Sequence, residues 1–528
     1  MDDPTETRDL SPPMRTGAVD WPSFCASCGI ILFVCVPLSV FPETGGSLLQ
    51  RVYGLITVEF GFAYLVAGCL TVAMLSWLAF GRYGHVVLGA DDASPEFSTY
   101  SWSAMVFCAA IGASLLAWAP IEWAYYFDTP PFGTEPRSDQ ATAWASTYPL
   151  FHWGPTAWSF YCLPTIAIAY PYYTKQLTCL RFSTSCHYFL GGHAETRRAR
   201  VIDWLFMIAL LGGAGASLGF STPLIAACIS QLTGVETQFG LEVFVVGLCV
   251  ALFGSSVWFG LEKGIKRLSN INVLLALALL LGMLVVGPTV FLLKTSLNSI
   301  GLMVSQFFRM NSWTDPFTDS GFVESWTVFY WAWCIAYGPF VGLFVTRISR
   351  GRTIRQVVIG MVGWGSLGAA LFFMIMGNYS LHLELTNALN VSGLLASDGA
   401  PTAIVAVLDT MPLRSVVIAV FCLVALIFSA TTYDSASYIL AATATRRLPA
   451  GDDPPRWHRL FWAIALTLLP LTLMFVGGLR VMQTAVLVAS LPILVVGVYM
   501  TVALVKQLAA DASVLASKRA GRTVDAVP

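Results

Sequence analysis

Long apolar runs alternate with short polar segments along almost the whole chain. Each run holds about 20 mostly apolar residues, the length that a helix needs to cross a bilayer. The pattern predicts spans at residues 24–42, 56–80, 101–126, 146–170, 201–226, 238–259, 268–293, 324–347, 355–380, 413–444, 457–477 and 482–507. We therefore expect an all-α polytopic membrane protein with about twelve transmembrane helices.

Basic residues mark every second loop. Lys and Arg follow spans 2, 4, 6, 8 and 10, whereas 227–237 and 381–412 contain neither. Because cytoplasmic loops are rich in Lys and Arg, both termini are expected in the cytoplasm of a multi-pass cell (inner) membrane protein. The chain then divides into a cytoplasmic disordered leader at 1–23, a membrane domain at 24–508 and a short cytoplasmic tail at 509–528.

Composition supports this picture. The chain is 56% hydrophobic and 11% charged with a mean hydropathy of +0.70, whereas soluble proteins carry about 25% charged residues. A net charge of −1 gives no basic field for nucleic acid. Cys25 and Cys28 form a CxxC with no partner pair, which disfavours a metal or redox site. We expect no metal and no cofactor.

Residues 329–352 combine aromatic density with an apolar run. Trp331, Trp333 and Tyr337 are followed by Gly338 and Pro339, where a helix would weaken or kink. Aromatic faces attract poorly hydrated cations such as quaternary ammonium groups. This stretch is therefore predicted to hold a cationic substrate inside the membrane.

Span 3 carries a run of small residues around Gly112, which favours either close helix packing or unwinding around a ligand. Trp118 could supply an aromatic wall, and Glu122 is predicted near the outer end, where water reaches it. An intramembrane carboxylate is functional or part of a polar network by default. Spans 3 and 8 are both predicted to be interrupted, as in inverted-repeat transporters. The connection 294–323 has the pattern of an amphipathic interfacial helix.

Two further stretches are candidate sites. In span 4, Trp153 fits an interfacial aromatic belt, whereas Trp158 and Tyr161 lie one turn apart and fit a permeation path. In span 10, residues 428–437 (FSATTYDSAS) place several hydroxyls beside Asp434. This cluster favours a cation site or a polar interhelical lock, and the sequence leaves both open.

Several collinear motifs carry a family resemblance: Trp326–Arg355, Lys263–Val273, Val285–Leu293, Phe151–Trp158 and Thr431–Ser437. On them the sequence resembles the betaine/choline/carnitine transporters over most of its length. The stretch Ile121–Gly133 looks nearer to the sodium-independent carnitine-exchanger branch.

The resemblance implies a leucine-transporter-type core, with spans 3–7 and 8–12 as inverted repeats, and a homotrimer in the bilayer. It implies secondary transport of small onium zwitterions by alternating access. The aromatic box would fall on Trp333, Cys334 and Tyr337, completed by Trp118. The permeation path would fall on Trp153, Trp158 and Tyr161. The family normally has tryptophan at the position of Cys334.

The resemblance also bears on coupling. One sodium site of the sodium-coupled branch falls on Leu210 and Ala214, which offer no side-chain oxygen. Lys266 lies where the sodium-independent exchangers have arginine, and a fixed ammonium would repel sodium. Ion-site-like positions of the second sodium site are Cys108, Ile111, Phe428, Thr431 and Thr432.

We therefore expect transport without sodium, by exchange or proton coupling. Gly112, Glu122 and Asp434 are expected in gating or structural roles. The alternative is a sodium-coupled symporter of betaine or of a dimethylsulfonium solute. A membrane enzyme acting on choline lipids is disfavoured, because the six histidines are scattered and form no catalytic cluster.

Overall fold

A computed structural model describes residues 18–90, 93–109, 112–177, 180–190, 196–259, 262–318, 320–446, 448, 453–476 and 479–524. Within these ranges the chain forms twenty α-helices and no β-strand, with two isolated bridges, Val19 to Thr445 and Val87 to Thr353. The fold confirms the all-α polytopic prediction. Residues 1–17 of the predicted leader lie outside the described residues.

The helices follow the apolar runs. They are α1 Trp21–Val40, α2 Pro42–Phe80, α3 Thr99–Ala109, α4 Ala113–Trp118, α5 Glu122–Asp128, α6 Asp139–His152, α7 Pro155–Thr174, α8 His187–Leu190, α9 Arg197–Thr233, α10 Phe239–Phe259, α11 Glu262–Val286, α12 Thr289–Ser312, α13 Val328–Ile348, α14 Ile354–Phe372, α15 Asn378–Leu385, α16 Val391–Ser397, α17 Ala400–Asp409, α18 Arg414–Thr443, α19 Arg456–Val476 and α20 Leu479–Val524. The last helix continues through most of the segment predicted as a polar tail.

Nine helices among the described residues are long and apolar enough to cross a membrane. The other predicted spans are 3, 4 and 6. Span 3 is divided into α3, α4 and α5, span 4 into α6 and α7, and α10 contains the shorter apolar segment Phe239–Ser255. Broken helices are tolerated in a membrane only where protein or a cavity surrounds the free backbone groups.

The breaks in spans 3 and 4 have local causes. Gly112 is extended, with φ −148° and ψ 174°, and precedes α4. At the junction of α6 and α7, a Cβ on Gly154 would lie 2.1 Å from the carbonyl oxygen of Leu150. Pro155 then starts α7, where its missing N–H costs nothing. Both breaks adjoin the cavity described below.

The prediction that span 8 is interrupted is wrong. α13 is a continuous helix through Gly338 and Pro339, preceded by a π-helical turn at Val323–Thr327. The glycines have a packing role instead. A Cβ on Gly338 would lie 2.8 Å from the carbonyl oxygen of Phe160, and one on Gly342 would lie 3.1 Å from the backbone nitrogen of Thr165. α13 and α7 therefore approach backbone to backbone.

The connection after span 7 is helical, as predicted, although its start differs. α11 ends at Val286, and Gly287 and Pro288 separate it from α12. Span 7 was predicted to continue to residue 293, but proline ends the helix earlier because it cannot donate a backbone hydrogen bond. α12 presents an exposed apolar stripe that includes Leu293, Leu297 and Phe308.

Candidate functional site

A cavity of about 700 Å³ lies among α3, α4, α7, α9, α13 and α18. Its lining contains most of the residues singled out in the sequence: Cys108, Gly112, Trp153, Trp158, Tyr161, Trp333, Cys334, Tyr337, Phe428, Thr431, Thr432 and Asp434. The structure thus brings together residues from spans 3, 4, 8 and 10. It does not bring Trp118, Glu122 or Trp331 to the cavity surface.

The helical period of α13 explains which aromatic residues reach the cavity. Tyr330, Trp333, Cys334, Tyr337 and Val341 line it, and they recur three or four positions apart, as one face of an α-helix does. Arg347, the last lining residue of this helix, lies seventeen positions after Tyr330, so the cavity follows α13 for about 25 Å.

Trp331 is one position out of this phase and faces the protein interior. It is fully buried, and its ring lies 5.3 Å from that of Phe151 and 5.7 Å from that of Phe160. A Cβ on Gly68 of α2 would lie 3.5 Å from its Nε1. The structure therefore gives Trp331 a place in the packing of α2, α7 and α13.

The aromatic lining comes from α7, α13, α18 and the α6–α7 junction. Trp153 lies at the α6–α7 junction with its ring 5.8 Å from that of Trp333. It is half-buried and faces the cavity, so the interfacial-belt interpretation of this residue is wrong. Further along α7, the rings of Trp158 and Tyr161 meet edge to face at 5.3 Å.

Glycines on neighbouring helices make room for these rings. A Cβ on Gly365 of α14 would lie 2.1 Å from Trp158 Cδ2, and one on Gly213 of α9 would lie 3.2 Å from Tyr337 Cδ2. Tight packing against a glycine fixes an aromatic ring in one orientation. Gly213 of α9 therefore allows close helix packing and also shapes the cavity wall.

A second aromatic cluster closes one end of the cavity. The ring of Trp118 meets those of Trp326 at 6.0 Å and Phe220 at 5.2 Å. Phe220 and Phe329 also contact Trp333, at 5.6 and 5.5 Å. They stand between Trp118 and the cavity. In this conformation Trp118 therefore belongs to the closed end and not to a box around the cavity.

Glu122 is the centre of a buried hydrogen-bond network at the closed end. Its side chain is 0% exposed, so the prediction that water reaches it is wrong. It accepts hydrogen bonds from Tyr126 Oη at 2.8 Å, Trp153 Nε1 at 2.9 Å and Tyr330 Oη at 2.7 Å. His152 Nδ1 lies 2.8 Å from the same Tyr126 oxygen. The network joins the broken part of span 3 to spans 4 and 8.

The opposite end of the cavity is charged and reaches exposed residues. Arg459 donates to Asp434 at 3.0 Å. Arg347 and Arg459 both lie over the cavity-lining ring of Tyr438, with Cζ atoms 5.0 and 5.2 Å from its centroid. Arg347 and Asp453 are exposed. Asp434 therefore takes part in an ion pair at the mouth.

The hydroxyl cluster of span 10 is part of the wall. Thr431 and Thr432 both donate to the carbonyl oxygen of Phe428, at 3.0 and 2.9 Å. Ile111 and the side chain of Lys266 lie outside the described part of the structure. Within that part, no group of three or more His, Cys, Asp or Glu side chains could hold a metal ion.

The comparisons with known proteins name the family. The family model described as "BCCT, betaine/carnitine/choline family transporter" matches residues 22–513. The chain belongs to this family. Its members are transporters, so the protein is a membrane transporter and not an enzyme.

Two curated relatives of this family match over most of their length. "Uncharacterized transporter YeaV" of Escherichia coli is 38% identical over 428 residues, covering 81% of this chain and 89% of that protein. "Carnitine transporter" of Acinetobacter baumannii is 36% identical over 456 residues, covering 86% and 82%. Among solved structures, a Na⁺-coupled sialic acid symporter matches with a TM-score of 0.42 and 14% identity, over 87% of this chain and 82% of that one.

Sequence reasoning missed several residues of this transporter's site. Tyr330 and His152 line the cavity, and Phe220 and Phe329 pack against the cavity-lining ring of Trp333. Tyr330 could have been found, because it lies in helical phase with Trp333. The other three carry no such signal, since their position depends on which helices meet.

Proposed function

We propose that the protein transports small quaternary ammonium solutes, such as the zwitterions carnitine and betaine or the cation choline, without sodium. One observation carries the proposal. Aromatic side chains line the deep end of a membrane-embedded cavity, and Trp153, Trp333 and Tyr337 are the faces offered to the ammonium head.

The charge distribution supports a cation held by rings instead of by an ion pair. Among the described residues that line the cavity, the acids are Asp434 and Asp453, and both lie at the charged mouth. A strongly hydrated ammonium would lose its water there without a carboxylate partner. A trimethylammonium group has little hydration to lose and is attracted to aromatic faces by about 2 kcal/mol when desolvated.

The cavity geometry supports an inward-facing state of an alternating-access cycle. By the positive-inside rule, the mouth near Arg347 and Arg459 is cytoplasmic and both termini lie on the same side. The cluster around Trp118 then closes the outer side. To face outward, the protein would have to part this cluster and close the charged mouth. The cell inner membrane is the proposed location, and a homotrimer is the proposed assembly.

The lack of side-chain oxygens at the first sodium site supports transport without sodium. Leu210 and Ala214 are fully buried in α9 and offer no hydroxyl for the first sodium site. Lys266 lies where sodium-independent exchangers have arginine, and its positive charge would repel sodium from the second sodium site. We propose exchange or proton coupling as the driving mode.

A sodium-coupled symporter of betaine or a dimethylsulfonium solute is the alternative. It is favoured by the second group of oxygens, since Thr431 and Thr432 line the cavity beside the carbonyl of Phe428. Oxygen ligands of this kind suit hard cations.

Uptake into proteoliposomes tests both. We expect radiolabelled carnitine, betaine or choline to enter without chemical change, with internal substrate or a proton gradient driving uptake and sodium having no effect. Uptake that requires a sodium gradient would favour the alternative. Absence of uptake, exchange and binding for every onium compound tested would refute the proposed substrate class.

A further inference from the structure

A buried carboxylate lies directly behind the aromatic wall of the cavity. Glu122 does not line the cavity, yet its Oε2 accepts hydrogen bonds from Trp153 Nε1 at 2.9 Å and Tyr330 Oη at 2.7 Å. Both donors do line the cavity. Their rings lie 5.8 Å apart at an angle of 63°. One oxygen therefore orients two adjacent aromatic faces.

Three hydrogen-bond donors face the carboxylate of Glu122. An indole N–H can only donate, and two tyrosine hydroxyls complete a set of three donors on the two carboxylate oxygens. The nearest basic group is His152, whose Nδ1 lies 3.8 Å from Oε1. No arginine or lysine within the described residues lies within 4 Å of this carboxylate. Within the described residues, this carboxylate therefore has no arginine or lysine as an ion-pair partner.

The carboxylate of Glu122 complements the cavity's deep end, where the described lining contains no acid. Charges interact strongly in a buried, low-dielectric setting. In addition, a ring that donates a hydrogen bond to an anion is polarised towards a more negative face, which strengthens its attraction for a cation. Glu122 would act on a bound cation through the rings without touching it.

We propose that Glu122 is a positioning and specificity residue, which makes the site select a positively charged head over a neutral one of the same shape. This inference rests on the proposed onium transport. It assigns the selectivity to the pair of hydrogen bonds from Trp153 and Tyr330, and it distinguishes Glu122 from a residue that only holds helices together.

The experiment compares an onium ligand with its carbon isostere. Choline is paired with 3,3-dimethylbutan-1-ol, and betaine with 3,3-dimethylbutanoate. Dissociation constants are measured by tryptophan fluorescence or competition for the wild type, Glu122→Gln, Glu122→Asp and Tyr330→Phe. In Glu122→Gln we expect the dissociation constant of the onium ligand to rise about tenfold, while the dissociation constant of the isostere changes by less than about twofold.

Two further variants keep the test independent of folding. Glu122→Asp retains the charge and is expected to restore much of the preference for the onium ligand. Tyr330→Phe removes one of the two donors and should lower the preference by a smaller factor than Glu122→Gln. Variants are first matched for thermal stability in detergent.

The outcomes separate the two proposals. Equal weakening of onium and isostere in Glu122→Gln, or unchanged onium affinity, would overturn the role of Glu122 and leave onium transport intact. A wild type that binds the onium compound no better than its isostere would instead refute cation selection at this site.

Discussion

Trp331 and Trp333, two positions apart, provide a matched test of the cavity assignment. Both are tryptophans of α13 and both are at most 6% exposed. Only Trp333 lines the cavity. We predict that Trp333→Leu weakens binding of the onium ligand and has little effect on binding of its carbon isostere. Trp331→Leu should instead lower the stability of the protein and leave onium binding nearly unchanged.

The magnitudes follow from the environment of each ring. Trp333 offers a face to a desolvated cation, and removing it costs about 2 kcal/mol of cation–π attraction, which corresponds to roughly a thirtyfold higher Kd. Trp331 fills space between Phe151 and Phe160. Its Nε1 has no hydrogen-bond partner among the described residues, so its loss breaks no hydrogen bond. The cavity left behind costs roughly 2–4 kcal/mol of stability.

The assay separates affinity from stability. Onium affinity is measured on purified protein by ligand-induced tryptophan fluorescence and checked by uptake into proteoliposomes. Stability is measured as the midpoint of thermal unfolding in the same detergent without ligand. Each variant is compared with the wild type at equal amounts of folded protein.

The assignment of Trp333, and not Trp331, to the substrate cavity is refuted if the two variants behave alike. Equal loss of affinity in both would mean that helical phase does not decide which tryptophan meets the substrate. Unchanged affinity in Trp333→Leu would remove this ring from the binding site.

Three further predictions use other parts of the chain. Gly365→Ala should displace Trp158, because its Cβ would lie 2.1 Å from that ring, and should cost roughly 1–3 kcal/mol of stability together with a higher KM for uptake. Cys334→Trp should restore the ring usual in the family and tighten onium binding by about tenfold, if the cavity accepts the indole. Lys266→Glu should make uptake respond to sodium by removing a repelling charge.

Each of these has a control or a contrary result. Gly363 lies on the same helix with no atom within 4 Å of an added Cβ. Gly363→Ala should therefore leave KM unchanged and should not lower stability, because alanine is the better helix former. Equal effects at the two glycines would contradict the packing explanation. Weaker binding in Cys334→Trp at unchanged stability would show that the space beside Cys334 is required by the substrate. A flat sodium profile in Lys266→Glu, with Lys263→Glu as its charge-matched control, would remove the electrostatic explanation.

Much of the fold was predictable because membrane spans follow a local rule. The apolar length and the alternation of basic loops indicated about twelve spans, and the described helices follow these runs. Small residues marked the break around Gly112, whereas span 4 was expected to be continuous and is divided at Gly154. The same signals failed at Gly338 and Pro339, because small residues also permit close helix contact and a helix can bend past a single proline without ending.

The candidate site was predictable in composition and less so in detail. Aromatic residues at helical spacing indicated Trp333 and Tyr337, and strict phase would also have excluded Trp331 and included Tyr330. No local pattern reveals that Phe220 comes between two tryptophans of other spans.

The sequence by itself determined that this protein crosses the membrane many times, that it belongs with onium transporters, and which helix carries its aromatic face. These properties depend on hydropathy, motif and period, which are local. Tertiary structure alone decided that Glu122 is buried and bonded to Trp153 and Tyr330, and that Trp118 closes the cavity instead of lining it. A carboxylate in a membrane must find its donors on other helices, so its role becomes visible only once those helices meet.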